Sequence, residues 1–455
     1  MLNIVYIHTH DTGRCIGPYG YPVDTPNLQN LAEHALLFRN AHSVAPTCSP
    51  SRAGLLTGTY PHENGMFGLA HRGFALHEYQ MHIVSHLKKA GYATALCGVQ
   101  HVAPEKDLIG YDQVLDNPDE YYDHEIDALA DYDLQNARHA AEYIEDYAAR
   151  ISPTAAGEAA AEPFFLSFGM LNTHRPFPAA SDTQPGRDRR ADWVRPPHPL
   201  PDTPEHRKDT AAFYRAVETV DQCVGIVMQS LERTDLARNT LVLFTTDHGP
   251  AFPDMKATLK DSGTGVALML RLPGYDPQVV DAMVSQLDVY PTICELLGTP
   301  APHTLRGSSL LPLIRGEKGE LHSHLFTETS FHAAYEPARA VRSGRYKLIR
   351  RSSPAAHRLA VNVDDSAGKD FLYRHGYFSE EVAVEELYDL ALDPTESRNL
   401  SSDPEYRGVK SELDAQLRCW MESTGDPLLN GWIQAPPGAL LNKPDAYSPE
   451  SGEFE

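Results

Sequence analysis

One cysteine in this sequence has neighbours that would make its sulfur reactive. Cys48 lies between Pro46 and Pro50, and Arg52 follows it by four residues, in a segment that reads as a loop entering a helix. The N-terminus of a helix binds anions, and a nearby guanidinium stabilises a thiolate. Because residues four apart share one face of a helix, Arg52 would lie beside Cys48. The segment therefore predicts a reactive, anion-binding position, whereas the ordinary role of a single cysteine is a core or surface thiol.

Two short apolar segments are each followed by residues that could bind a metal ion. They are residues 3–7, followed by His10 and Asp11, and residues 240–245, followed by Asp247 and His248. We interpret both segments as buried parallel strands, whose C-terminal ends form the sites of α/β proteins. The alternative role of each aspartate is to cap a following helix.

The elements that must position these residues alternate along the chain. Further strands are predicted at residues 36–38, 93–97, 164–168 and 267–272, and helices at residues 27–35, 83–90 and 213–231. This alternation favours an α/β fold with a mostly parallel sheet and helices on both faces.

The pattern changes near residue 322. Residues 345–350 and 386–390 are short alternating segments typical of an antiparallel sheet, and residues 405–422 read as an amphipathic helix. We therefore predict a catalytic domain over residues 1–322. A smaller C-terminal subdomain over residues 323–455 would contain a short antiparallel sheet, a helix and an extended tail.

Composition excludes several classes of function. The 455 residues are 42% hydrophobic and 22% charged, which is typical of a globular enzyme. The net charge of −23 argues against a nucleic-acid partner and provides no basic face for an anionic membrane. The six cysteines are scattered without a CxxC pair, which argues against a zinc or disulfide framework. With no signal peptide and no apolar run of about 18 residues, we expect a cytoplasmic enzyme without a membrane partner.

The segment that begins at Cys48 resembles the signature of the type I sulfatases, which belong to the alkaline phosphatase superfamily. It reads Cys-x-Pro-x-Arg followed by Ala-x-Leu-Leu-Thr-Gly. Further motifs similar to that family are residues 98–101, 172–174, 247–249, Lys256 with residues 259–263, and residues 386–400. Residues 62–69 and 98–105 are most similar to the heparan N-sulfatase (sulfamidase) subgroup. The resemblance implies an alkaline-phosphatase-like fold.

The resemblance also implies a modified cysteine and a metal ion. In this family a separate enzyme oxidises the cysteine to formylglycine, so a formylglycine-generating or sulfatase-maturing enzyme is an implied partner of this chain. Hydrated formylglycine is a geminal diol: one hydroxyl attacks sulfur, and the other lets the adduct collapse with release of sulfate. The implied ligands of one divalent ion are His10, Asp11, Cys48, Asp247 and His248.

Other residues are implied to handle the substrate. Arg52 would hold the diol and the anion through charge-assisted hydrogen bonds, and His101 would orient the diol. His174 would protonate the leaving oxygen or nitrogen, and Lys256 would bind the sulfuryl oxygens. The implied substrate is a small anion, the sulfate ester or N-sulfate of a sulfated sugar or related organic sulfate.

Three positions depart from the family pattern. His10 stands where the first of two adjacent aspartates is expected, His248 where asparagine is common, and Val99 where a sulfate-binding lysine is expected. Imidazole suits Mn²⁺ better than Ca²⁺, so we predict Mn²⁺ with Ca²⁺ as the second choice, and leave open whether His10 is a ligand. Arg14 or Arg72 would bind the substrate in place of the missing lysine, and Arg14 is favoured because its loop should lie beside the metal.

Two other functions remain open at this point. A phosphodiesterase or phosphonate monoester hydrolase would use the same site, and His248 has precedent there. A non-catalytic protein that binds sulfated glycans is the third hypothesis, and the presence of Cys48, Arg52, Asp247 and Lys256 argues against it.

Overall fold

The computed structural model describes residues 2–116, 128–151, 162–178 and 190–454. Its helices in these ranges are α1 (Pro26–Glu33), α2 (Cys48–Thr57), α3 (Pro61–Asn64), α4 (Ile83–Lys89), α5 (Ala128–Ile151), α6 (Arg190–Trp193), α7 (Pro204–Arg233), α8 (Asp261–Thr264), α9 (Val289–Leu297), α10 (Leu311–Ile314), α11 (Ala367–Arg374) and α12 (Arg407–Thr424). Its strands are β1 (Asn3–Thr9), β2 (Leu36–Phe38), β3 (Ala41–His42), β4 (Ala93–Gly98), β5 (Gln113–Val114), β6 (Phe164–Gly169), β7 (Thr240–Thr246), β8 (Gly265–Val266), β9 (Leu268–Arg271), β10 (Gln278–Val280), β11 (Val284–Ser285), β12 (His324–Phe331), β13 (Tyr335–Ser343), β14 (Tyr346–Arg351) and β15 (Glu385–Asp389).

The large sheet has the strand order β10-β2-β9-β7-β1-β6-β4-β5. Its neighbouring strands run parallel except at β9, which is antiparallel to both β2 and β7. Every residue of β1 is buried, because the strand lies near the centre of a sheet that is covered on both faces. The predicted mostly parallel α/β sheet is confirmed.

Side chains of β1 alternate between two hydrophobic cores. Val5 and Ile7 pack on the face covered by α1, α5 and α7, whereas Ile4 and Tyr6 pack on the face covered by α4 and α9. This alternation follows from the two-residue period of a strand. The central strands are therefore held from both sides, and their ends are fixed in position.

The predictions were incomplete in several places, and helix α5 was not predicted at all. The helix predicted at 213–231 is the second part of α7 (Pro204–Arg233), which begins earlier because the Thr203 side chain caps it and Pro204 takes its first position. A small sheet, β11-β3-β8, was not predicted. None of the described helices combines the length and the apolar composition that a bilayer crossing requires.

The antiparallel sheet near the C-terminus has the order β12-β13-β14-β15. Its apolar face packs against α12, where Leu413, Leu417 and Trp420 contact a core that includes Val341 and Leu348. The periodic spacing of Leu413, Leu417 and Trp420 explains why this helix was predictable from the sequence.

Candidate active site

The ends of two adjacent parallel strands bring the first group of predicted residues together. Thr9 at the end of β1 pairs with Thr246 at the end of β7, so the residues that follow both strands lie at one edge of the sheet. There the backbone N–H of Asp11 donates a hydrogen bond to Asp247 Oδ1 at 2.8 Å. His248 Nε2 lies 3.1 Å from Asp11 Oδ1.

Two further strands supply histidines to the same edge. Strand β6 lies beside β1, and β4 lies beside β6; the loops that follow them carry His174 and His101. Strand β4 ends at Gly98 with φ of 76°, where a Cβ atom would lie 2.1 Å from the carbonyl oxygen of Gly169. Only glycine permits this close approach, which lets the chain turn towards His101.

Helix α2 places Cys48 beneath these strand ends. Its sulfur lies 3.7 Å from His10 Nδ1, 3.7 Å from Asp11 Oδ1 and 3.3 Å from His248 Nε2, and Cys48 is only 1% exposed. Burial raises the pKa of the Cys48 thiol, but the nearby His10 and Lys256 lower it by more. The pKa of the thiol is therefore below its usual value. The predicted reactive position is thus held in a buried, cationic environment.

Arg52 contacts the same cluster from the helix. Its Nη2 donates to Asp247 Oδ2 at 3.0 Å and to the carbonyl oxygen of Thr9 at 2.8 Å, and Nη1 contacts His8 Nδ1. The guanidinium therefore fixes the Asp247 carboxylate, because a buried carboxylate is stable when it is paired.

The donor atoms fit a divalent metal ion. One ligand atom from each of His10, Asp11, Cys48 and Asp247 lies within 4.8 Å of the others, and all four residues are buried. His248 adds a fifth donor at the distances given above. Mixed imidazole and carboxylate donors suit a transition ion.

The acidic and basic groups of this cluster stabilise one another's charged forms. Burial lowers the pKa of His10, but Cys48 and Asp11 raise it to about 9. Lys256 Nζ donates to Asp11 Oδ2 at 2.8 Å and lies 3.2 Å from Asp364 Oδ2. Although burial lowers the pKa of Lys256, the two carboxylates hold it well above its usual range.

A cavity of about 490 Å³ opens over the cluster. Its walls include His10, His71, Arg72, His101, His174 and Arg175, together with Leu440, Pro449, Glu450, Gly452 and Phe454 from the C-terminal tail. An anion that entered this cavity would meet neutral and cationic side chains on one side and the tail on the other.

The two arginines predicted to bind substrate have different positions. Arg72 lines the cavity and also anchors the tail, since it donates to Asn442 Oδ1 at 2.6 Å and to the carbonyl oxygen of Pro449 at 3.1 Å. Arg14 lines a different cavity, and its Nη2 donates to the carbonyl oxygen of Ala41 at 2.6 Å. The structure therefore does not bring Arg14 to the predicted site.

The physical reason for the position of Arg14 is a turn between it and Asp11. Gly13 has φ of 58°, and its N–H donates to the carbonyl oxygen of His248 at 2.8 Å. Glycine adopts this left-handed conformation readily, so the chain turns away from the cluster directly after Asp11. Proximity in sequence was the wrong guide to proximity in space.

The two histidines predicted to orient the diol and to protonate the leaving group, His101 and His174, both have lowered pKa values. Burial and Lys256 lower the pKa of His174 to about 4, and its Nε2 lies 3.8 Å from Asp11 Oδ2 at the cavity wall. Burial and His10 lower the pKa of His101 well below its usual value. His101 Nδ1 lies 3.2 Å from His10 Nε2, so this ring contacts the proposed metal ligand directly.

Sequence reasoning missed three contributors. Asp364 pairs with Lys256 from 108 positions away, and no local pattern marks it. His71 contacts His101, and its only signal was its place beside Arg72. The cavity wall formed by residues 449–454 had no signal either, because the tail was predicted only as extended.

A buried sulfur at a helix start and a cluster of imidazoles and carboxylates at strand ends thus share one edge of a mostly parallel sheet. A family model described as Sulfatase matches residues 2–299. A second model, described as N-sulphoglucosamine sulphohydrolase, C-terminal, matches residues 252–360. The chain belongs to the sulfatase family, whose members are sulfuric ester hydrolases.

Individual relatives agree with this assignment. The chain is 30% identical to human N-sulphoglucosamine sulphohydrolase, over 97% of this chain and 93% of that protein. It is 26% identical to the Delta 4,5-hexuronate-2-O-sulfatase of Bacteroides thetaiotaomicron, over 97% of this chain and 93% of that protein. The predicted resemblance to the heparan N-sulfatase subgroup is confirmed.

Solved structures share the fold. A 2-O GAG sulfatase aligns with a TM-score of 0.69 at 22% identity, covering 96% of this chain and 95% of that chain. A protein solved with its substrate D-glucosamine-2-N,6-O-disulfate aligns with a TM-score of 0.65 at 20% identity, covering 93% of this chain and 98% of that chain. The predicted alkaline-phosphatase-like fold with an antiparallel C-terminal sheet is confirmed.

Proposed function

We propose that this protein removes a sulfate group from a sulfated sugar, and that it uses a formylglycine made from Cys48 beside one divalent metal ion. The observation that carries the proposal is the convergence of Cys48 with His10, Asp11 and His248 beneath a cavity. A maturing enzyme that oxidises Cys48 is part of the proposal.

Formylglycine would supply the nucleophile, and a divalent metal ion would supply a Lewis acid. Hydrated formylglycine supplies one hydroxyl that attacks sulfur and a second that allows the enzyme to be regenerated. His10, Asp11, Asp247, His248 and the modified residue 48 would hold the metal, which would supply a Lewis acid for the attacking hydroxyl and the sulfuryl oxygens.

The remaining residues of the chain bind and orient. Lys256 is a buried cation whose Nζ contacts Asp11 Oδ2 in the donor cluster, and it would pair with a sulfuryl oxygen there. Arg52 holds the Asp247 carboxylate and the carbonyl oxygen of Thr9, at the end of β1, in place. His174 Nδ1 lies 2.6 Å from the carbonyl oxygen of Arg175, to which it donates, so a neutral His174 has its lone pair on Nε2. His174 would therefore have to gain a proton on Nε2 before it protonated the leaving group.

The size and charge of the cavity support a sugar as the carrier of the sulfate. Its 490 Å³ lies within the range of small-ligand sites, and Arg72 and Arg175 lie on its wall. The human relative is named for N-sulphoglucosamine, and the bacterial relative for a 2-O-sulfated hexuronate. The similarity to the first favours an N-sulfate or a neighbouring O-sulfate of a glucosamine.

We further propose Mn²⁺ as the preferred ion, with Ca²⁺ as the second choice. His10 and His248 place two imidazoles in the donor cluster, and Ca²⁺ prefers oxygen ligands throughout. The position of His248 is also what favours a second candidate function, the hydrolysis of a phosphodiester or phosphonate monoester at the same site.

A side-by-side assay separates the two functions. The protein, produced with its maturing enzyme, is given N-sulfoglucosamine, glucosamine 6-sulfate, an aryl sulfate and an aryl phosphodiester. We expect turnover of the sulfates and its loss in Cys48→Ala. A strong preference of the parent for the diester, lost in the same variant, would show that the second function is correct.

A further inference from the structure

We propose that His71 is a positioning residue which, acting through His101, determines the ring nitrogen that His10 presents to the metal site. This inference rests on the proposed function, since it assigns a support to that site. His71 is absent from the ligand set and from the substrate-handling residues described above.

Three imidazoles form a chain from the cluster to the cavity. His10 Nε2 lies 3.2 Å from His101 Nδ1, and His101 Nε2 lies 3.0 Å from His71 Nδ1. The His71 and His101 rings stack with an angle of 7° between their planes and 5.3 Å between their centroids. All three rings line the cavity; His10 and His101 are buried, whereas His71 is exposed.

The direction of these hydrogen bonds follows from the inner end of the chain. His10 Nδ1 faces Asp11 Oδ1 at 3.1 Å and Cys48 Sγ at 3.7 Å. When Nδ1 binds a metal, its lone pair is used and Nε2 carries the proton. In the metal-bound state His10 Nε2–H therefore donates to His101 Nδ1.

The same logic fixes the outer two rings. Since His101 Nδ1 accepts, a neutral His101 carries its proton on Nε2, which donates to His71 Nδ1. His71 must then accept at Nδ1 and hold its own proton on Nε2. Burial and Arg72 lower the pKa of His71 to about 4, which keeps this lone pair available at pH 7.

Loss of the acceptor nitrogen of His71 would weaken the hydrogen bond between His101 and His10. Without His71, the Nε2–H of His101 loses its partner, and the tautomer with a proton on Nδ1 becomes competitive. That tautomer would place two N–H groups against each other at the contact with His10. His10 stands where the resemblance implies an aspartate, and a carboxylate would need no such control.

The test compares two substitutions of different hydrogen-bonding capacity. In His71→Asn the side-chain oxygen can accept in place of Nδ1, whereas His71→Leu fills similar space without an acceptor. His303→Leu, which removes an exposed histidine outside the cavity, is the matched control. Mn²⁺ affinity is measured by competition with a metal-binding dye. At saturating Mn²⁺, kcat and KM are measured on the sulfated sugar.

We expect His71→Leu to weaken Mn²⁺ binding by about tenfold, as loss of a supporting hydrogen bond does at other metal sites. His71→Asn should recover most of the affinity, His303→Leu should match the parent, and KM at saturating Mn²⁺ should change little. Parent affinity in His71→Leu would overturn the proposal, and so would an equal loss in His71→Asn.

Histidine ¹⁵N NMR of the parent tests the hydrogen-bond direction without any variant. The expected spectrum shows His101 protonated on Nε2 and His71 unprotonated on Nδ1; a His101 protonated on Nδ1 would overturn the proposal. If the parent neither binds Mn²⁺ nor hydrolyses sulfates, the proposed function fails, and the NMR result still decides whether the imidazole chain has the stated direction.

Discussion

Two buried clusters in this protein contain similar residues, and we propose different roles for them. The catalytic cluster comprises His10, Asp11, Cys48, Asp247 and His248. The structural cluster comprises His62, Glu328, Arg339 and Asp426. Histidines and carboxylates in both clusters lie close enough together to hold a metal ion.

The structural cluster is already neutralised by its own side chains. Arg339 donates to both carboxylate oxygens of Asp426, at 2.6 and 3.0 Å. His62 Nδ1 lies 2.5 Å from Glu328 Oε2, and Arg339 Nε lies 3.4 Å from the same atom. Arg339 thus contacts both carboxylates, and Glu328 raises the pKa of His62 above its usual value. Because His62 belongs to α3 and Glu328 to β12, the cluster joins this helix to the antiparallel sheet near the C-terminus.

The catalytic cluster is arranged differently. Its donors lie within reach of one shared centre, and one of them, His10, also lines the cavity. Lys256 donates to Asp11 and Arg52 donates to Asp247. The comparison teaches that residue type alone does not make a site; convergent donors beside an accessible cavity do.

The largest expected effect is the loss of turnover in Cys48→Ala. We expect kcat/KM for the sulfated sugar to fall by at least about 10⁴-fold, because the nucleophile is removed, while the melting temperature changes little. Cys97→Ala is the matched control, since Cys97 is also buried but contacts Asn136. If turnover survived in Cys48→Ala, this cluster would not be the catalytic one.

A substitution in the structural cluster should lower the free energy of unfolding. Arg339→Met leaves Glu328 and Asp426 without their buried cation, and we expect a loss of about 3–5 kcal/mol in the free energy of unfolding. Urea unfolding measures it, and kcat per folded molecule should match the parent. Adding Asp426→Asn to Arg339→Met should recover part of the stability. A loss of kcat without a loss of stability would contradict the structural role.

Addition of a metal ion should have an effect of intermediate size that distinguishes the two clusters. Adding Mn²⁺ to chelated protein at 100 times its Kd should stabilise the fold by about 2.7 kcal/mol, and Ca²⁺ at the same concentration should do less. Asp11→Asn should lose this gain, and His62→Gln should keep it. The reverse pattern in these variants would mean that the metal binds at the structural cluster.

The smallest expected effect is a pH dependence of stability at His62. Burial lowers the pKa of His62, but Glu328 raises it more, so the folded pKa exceeds the unfolded value. The resulting stabilisation is complete below the unfolded pKa of about 6.5 and is lost as pH rises through the folded pKa. The stability difference between the parent and His62→Gln should therefore be larger at pH 6 than at pH 9. A difference that grows with pH would refute the sign of the pKa shift.

The catalytic cluster was predictable because its residues follow buried strands or belong to a signature. Apolar runs such as 3–7 and 240–245 identified strands, and parallel strand ends meet at one edge. Arg14, Asp364 and the tail could not be placed in this way. A single turn at Gly13 sends Arg14 elsewhere, while Asp364 and the tail reach the site through tertiary contacts that leave no local pattern.

The central claim is that Cys48 is the precursor of the nucleophile in the catalytic cluster. Mass spectrometry of the peptide that carries Cys48, taken from enzyme made in its own host and shown to hydrolyse sulfate, tests it most directly. The account predicts formylglycine at position 48 in a fraction that tracks specific activity. Fully active enzyme with only an unmodified thiol at this position would contradict it.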